Sequence, residues 1–220
     1  MKYSLAVTIL AGVFGLALTT SSNAATESFL LNVGPTSAWT DTWGKVTLTE
    51  NGATEVDVHV DLYGGTKFVD TGGSDLRPVD PHTAFVFNLA NNAGAVITIT
   101  NPTTGFWIDP YVPDNQTPFG IFSNGLSCCG NGASNAVPGP LDFKVTNTSG
   151  ISLASFAANS TGPGYWFSAD VISGFTGLTG NVAAVVPTSP IPEPESYAML
   201  LAGLGLLGFI AGRRKRKEVA

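Results

Sequence analysis

The sequence predicts an all-β fold, an antiparallel β-sandwich of immunoglobulin-like or jelly-roll type, on three observations. Charged residues are 12% of the 220 positions, against roughly 25% in ordinary soluble chains, while Gly and Pro supply 26 and 14 positions. From residue 45 to residue 186, short runs of alternating apolar and polar residues recur between Gly, Asn, Asp or Pro punctuation. No stretch between residues 25 and 186 keeps a 3.6-residue apolar period, so helices should be rare.

Taken in order, the chain opens with a secretory signal. Lys2 supplies a positive start, residues 5–18 are apolar or small, and Ser22, Asn23 and Ala24 form a small-residue cleavage pattern. The apolar run is too short for a comfortable spanning helix, and the expected cut lies between Ala24 and Ala25. Without a cysteine near that site, lipoprotein processing is excluded. Residues 25–186 then form the exported domain, with strands expected at 45–49, 55–62, 84–89, 95–100, 142–147, 151–156, 165–171 and 181–186. The cleanest is 55–62, where Val56, Val58, Val60 and Leu62 alternate with Glu55, Asp57, His59 and Asp61, giving one core face and one wet face.

Residues 187–196 are proline-spaced, with fixed φ angles and missing N–H groups that resist helix and sheet alike, and read as a linker. Residues 197–212 carry no charge and predict a single transmembrane helix of about 24 Å, at 1.5 Å per residue. Arg213, Arg214, Lys215, Arg216 and Lys217 follow at once, in a tail of residues 213–220 that the positive-inside rule keeps cytoplasmic.

Ile191, Pro192, Glu193 and Pro194, the Leu/Gly-rich span and the terminal basic cluster together resemble the PEP-CTERM sorting signal of proteins secreted by biofilm-forming Gram-negative bacteria. The resemblance covers about residues 190–217. It implies export by the Sec machinery, transient single-pass anchoring in the inner membrane, and recognition of Pro192, Glu193 and Pro194 by an exosortase-type membrane transpeptidase. Cleavage near that motif then releases the protein towards the cell surface.

Charge and motif content narrow the rest. Residues 25–190 hold four basic and thirteen acidic side chains, which excludes a phosphate-backbone binder and hence nucleic acid. No zinc-protease, nucleophile-elbow, Ser-x-x-Lys or phosphate-loop signature occurs, and a catalytic triad would have to use His59 or His82, neither with supporting context. Cys128 and Cys129 are adjacent among glycines; in an oxidising compartment the alternatives are a bridge between neighbours, pairing between molecules, or free and mixed states. A loop role fits them better than redox catalysis, which uses Cys-x-x-Cys. Asp57, His59 and Asp61 share a strand face that ordinary solvation explains, and the acidic loop of Asp70, Asp75, Asp80 and His82 lacks EF-hand spacing, so no metal site and no cofactor is expected.

Among the aromatic residues Trp39, Trp43, Phe106, Trp107, Tyr111, Phe119, Phe122, Tyr165, Trp166 and Phe167, most should fill the core, and any exposed ring offers a stacking platform for sugars. Strand alternation puts Tyr165 and Phe167 on one face and Trp166 on the other. Asn147 and Asn159 open glycosylation-type triplets. The expectation is an exported, non-enzymatic surface or matrix protein with a structural or binding role and exopolysaccharide as a candidate partner. A secreted polysaccharide hydrolase and a calcium-stabilised adhesin are the alternatives.

Overall fold

The computed structural model describes residues 24–71, 83–90, 94–99, 105–110, 112–129, 132–185, 187–188 and 203–204. Strands β1 (Thr26–Leu31), β2 (Gly44–Glu50) and β3 (Glu55–Leu62) form a meander, followed by β4 (Lys67–Phe68), β5 (Thr83–Leu89), β6 (Ala95–Ile99) and β7 (Phe106–Ile108). A small hairpin of β8 (Asp114–Asn115) and β9 (Ile121–Phe122) leads to β10 (Asn124–Cys128), β11 (Val137–Pro138) and β12 (Leu141–Asn147). The remainder is β13 (Phe156–Ala157), β14 (Phe167–Ile172), β15 (Thr179–Ala184) and β16 (Pro187–Thr188).

One sheet has the order β16-β1-β2-β3-β12-β6. The other has the order β11-β4-β14-β5-β10-β7, with β15 also on β14 and β13 on β5. Every named strand pairing is antiparallel. In the first sheet the two-residue period sends Phe29 and Leu31, Val46 and Leu48, Val56, Val58 and Val60, and Leu141, Phe143 and Val145 to one buried face. The second sheet answers with Phe85, Phe87, Leu126, Phe167, Ala169 and Val171. Phe143 lies 5.9 Å from Phe85 and 5.5 Å from Phe87, and Phe29 lies 4.9 Å from Phe167, so both sheets share one core.

The second sheet is covered on its other face as well, which is why β5 and β14 are buried almost continuously instead of alternating. Phe119 and Phe122 reach from the 112–123 excursion onto Val86 and Ala183, with Tyr165 packed against them. Asn159 ties this cover down: its Nδ2 donates to the Phe119 carbonyl at 2.7 Å, and its Oδ1 accepts from the N–H groups of Thr161 and Tyr165, both at 3.1 Å.

The strands expected around 45–49, 55–62, 84–89, 95–100 and 142–147 are present, each within a residue or so. Three other expectations need correction. Residues 151–156 hold a 3-10 turn at Leu153–Ser155, stabilised by a reciprocal Ser152–Ser155 cap, with strand only at Phe156–Ala157. The final long strand is Thr179–Ala184 rather than 181–186. The strand expected from 165 begins at Phe167, because Gly162 and Gly164, at φ 53 and 84, turn the chain just before it. Alternation therefore does not govern Tyr165 and Trp166. Tyr165 packs on Phe119 at 4.9 Å in the outer cluster, while Trp166 and Phe167 both contact Phe29.

The last strand changes sheets. β15 pairs with β14 along its whole length, and the same run of chain then pairs with β1 and its extension. The partners Val33 with Ala183, Phe29 with Pro187 and Ser28 with Thr188 keep one register without a slip. Val33 N–H donates to the Ala183 carbonyl at 3.0 Å and Ala183 N–H returns a bond at 2.8 Å, so this strand joins the edges of the two sheets.

Glu27 sits on the inward-facing set of β1 opposite Leu48, and burial holds its carboxyl above the usual carboxylate range. A raised folded value means that the associated stability is complete below the unfolded pKa and is lost as pH rises through the folded one. Glu27→Gln should therefore leave stability in acid unchanged and raise the urea midpoint at neutral pH, by about 0.5 kcal/mol or less for so accessible a residue.

Candidate functional site

Ala24 and Ala25 are exposed at the start of β1, and the Ala25 carbonyl accepts the Glu50 N–H at 2.9 Å. A cut after Ala24 therefore leaves a first residue already tied to the end of β2. Residues 1–23, Pro192, Glu193, Pro194, and Arg213, Arg214, Lys215, Arg216 and Lys217 lie outside the described residues. So does the span expected at 197–212, apart from Gly203 and Leu204, which are helical and exposed. Among the described residues no helix is long and apolar enough to cross a membrane.

Among the described residues the last strand pairing is that of Thr188 with Ser28 on β1. Ser28 is only three positions from Ala25. The two ends of the exported unit, one beside the expected signal cut and the other leading to the proline-spaced stem, therefore share one sheet edge. No local sequence pattern encodes this proximity, although the alternation of Phe29 and Leu31 marks β1, a strand outside those expected between residues 45 and 186.

Cys128 ends β10 and Cys129 follows it with φ 49, a left-handed conformation rare for a side chain other than glycine, and the two sulfurs are bonded to each other. Cys128 is buried in the main core and Cys129 packs against it, so the pair closes the end of a core strand. Protein recovered from an oxidising compartment should resist alkylation until it is denatured and reduced, and should then take up two alkyl groups. A reducible dimer on a non-reducing gel would contradict this pairing.

The polar face of β3 is organised across strands. His59 Nδ1 and Asp142 Oδ1 lie 2.6 Å apart, and Lys144 Nζ donates to Glu55 Oε1 at 2.5 Å and approaches Asp57 Oδ1 at 3.5 Å. The Lys144 ammonium holds Glu55 below the usual carboxylate range, and Glu55 raises Lys144 in return. Asp57 and His59 are thus engaged by different partners, and among the described residues no group of three potential ligands could hold a metal ion. The acidic loop carrying Asp75, Asp80 and His82 lies outside the described residues, but its flanks are fixed. Thr71 donates through N–H and Oγ1 to Asp170 at 2.6 and 2.7 Å, and Thr83 Oγ1 donates to buried Asp109 at 2.5 Å.

Of the aromatic residues, Trp43, Phe119, Phe122 and Phe167 are fully buried, and Trp39, Phe106, Tyr165 and Trp166 pack against a core cluster. Tyr111 lies outside the described residues. Trp107, 39% exposed on β7, is the described ring from this set that offers a face to solvent. Phe175 and Leu178, in the β14–β15 turn, are further exposed apolar side chains. Neither glycosylation-type asparagine is presented outward. Asn147 is 6% exposed and accepts the Ser149 N–H, while both ends of the Asn159 amide are occupied.

Residues 190–217 match the family model of the PEP-CTERM protein-sorting motif. No curated protein and no solved structure matches the chain. A motif of this kind marks an exported protein that exosortase, a membrane enzyme, sorts.

Proposed function

We propose that this chain is an exported, non-enzymatic β-sandwich protein, anchored briefly in the inner membrane by residues 197–212 and cut near Pro192, Glu193 and Pro194 by an exosortase-type transpeptidase. It then serves a structural or binding role in the envelope or biofilm. The observation that carries the reading is the sorting motif at residues 190–217. The fold supports it, because among the described residues the last strand pairing is at Thr188, short of the motif, so a cut there spares every described strand. A motif held a few residues outside a membrane span also meets a membrane-embedded enzyme at high effective concentration.

The reading is tested by fractionating cells that express the full chain with Pro192, Glu193 and Pro194 all changed to alanine. The wild-type protein is expected at the surface or in the medium without its C-terminal span, and the variant in the inner membrane with the span attached. Equal release of both would refute sorting through this motif.

For the binding role, an exopolysaccharide is the partner with which Trp107 fits best, since an exposed indole stacks on sugar rings. Trp107→Ala should reduce retention on the host's own exopolysaccharide while leaving the melting temperature unchanged. Unaltered retention would leave the domain a structural rather than a sugar-binding role.

A further inference from the structure

We propose that the ladder between β1 and the crossing strand is the ruler of the sorting step. It fixes Thr188 on the sheet edge, so that the transpeptidase acts on a folded domain whose motif begins four residues beyond a closed clamp. The inference rests on the sorting reading above and adds the state in which the substrate is presented.

Three observations carry it. The partners Val33 with Ala183, Phe29 with Pro187 and Ser28 with Thr188 keep a single register, so they belong to one alignment of the two chain segments rather than to one chance bridge. The same run of chain pairs with β14 from Phe167 opposite Ala184 to Ile172 opposite Thr179. Drawing the stem out of the domain therefore opens the first sheet's edge and then the second's, which is far more costly than presenting the chain beyond Thr188. Finally, Ala25 is held by Glu50 of β2 at the end of β1 towards which the chain runs at Thr188, so the first residue after the expected signal cut and the start of the stem lie at one end of the same sheet.

The reach follows from chain geometry. Pro192 is four positions beyond Thr188, and Tyr197 is nine beyond it. At up to about 3.5 Å per residue these are spans of at most about 14 Å and about 32 Å. The clamped domain thus stays close to the membrane surface, and the motif falls between the two. The enzyme's step is ordinary: the peptide bond breaks, the acyl side passes through the transpeptidase to water or an amine, and the new amino terminus stays with the span.

The test uses the full chain in its host, with release read as the amount of cut product over time. In Ser28→Cys/Thr188→Cys a cross-strand disulfide locks the clamp, and its formation is checked by intact mass. The locked precursor is expected to be cut at the wild-type rate. Deletion of residues 189–191 brings the motif against the clamp and is expected to slow the cut by about tenfold or more, with three Gly/Ser residues in their place restoring it. Accumulation of locked precursor that reduction releases would overturn the proposal, as would a wild-type rate for the deletion. If the double-cysteine chain does not fold, the deletion and its reinsertion decide alone. A chain with its three motif residues changed to alanine runs beside these; if it too is cut, the sorting reading fails, whatever the clamp does.

Discussion

A chain ending at Thr188 should melt at the same temperature as the whole exported domain, whereas one ending at Val182 should be largely unfolded. The difference is six residues, but they include the crossing strand. Ala183 and Ala184 are buried, and together they make four backbone hydrogen bonds, with Asn32, Val33 (two) and Trp166. At about 1 kcal/mol each, these alone amount to about 4 kcal/mol, a large part of the 5–15 kcal/mol that holds a typical domain together. Their loss also leaves the outer edge of β1 and the Phe167–Ser168 end of β14 unpaired, inviting aggregation. Circular dichroism melts of the two truncations check this, and equal melting temperatures would show that the crossing strand is dispensable.

The second large effect is expected at the centre of the core. Phe143 is 1% exposed on β12 and bridges the sheets to Phe85 and Phe87. Phe143→Ala should cost about 3–5 kcal/mol, from lost burial and from the cavity left between strands that cannot collapse onto each other. Asp142→Asn on the same strand, whose partner His59 lies on the exposed face, should cost well under 1 kcal/mol. Denaturant titrations of the two variants measure the contrast, and comparable losses would contradict the assignment of inner and outer faces.

The inner and outer faces are also where the sequence was most legible. Glu55–Leu62 alternates in composition and in burial because one side meets the core and the other water, so its period survives translation into structure. β5 reads Thr-Ala-Phe-Val-Phe-Asn-Leu and is buried on both sides, so its strand character had to come from its β-branched and aromatic content. The failures share a different cause. Around Tyr165 the side chain of Asn159 and two positive-φ glycines set the backbone, and a two-residue period has no force there. The strand near residues 181–186 was expected, but its crossing between sheets was not, because that lies in its partners: Ala183 faces Val33, 150 positions away, and no local pattern encodes that pairing.

The sorting signal was legible for the opposite reason. Its three parts are defined by composition and order along the chain, so Pro192, Glu193, Pro194 and the basic cluster from Arg213 to Lys217 could be picked out without any fold. What composition could not give was the relation of that signal to the domain. Only the β1–β16 pairing puts the start of the stem beside the amino terminus expected after signal cleavage.

The central claim, a folded exported domain released by a cut beyond its last strand, is tested most directly by the intact mass of the protein from the host's surface and medium. The same measurement on cells lacking the sorting enzyme is the comparison. A species beginning near Ala25 and ending close to the Pro192–Glu193–Pro194 motif, present only when the enzyme is, is the predicted result. A mass that retains residues 197–220 in both strains would contradict it and make the protein a permanent resident of the inner membrane.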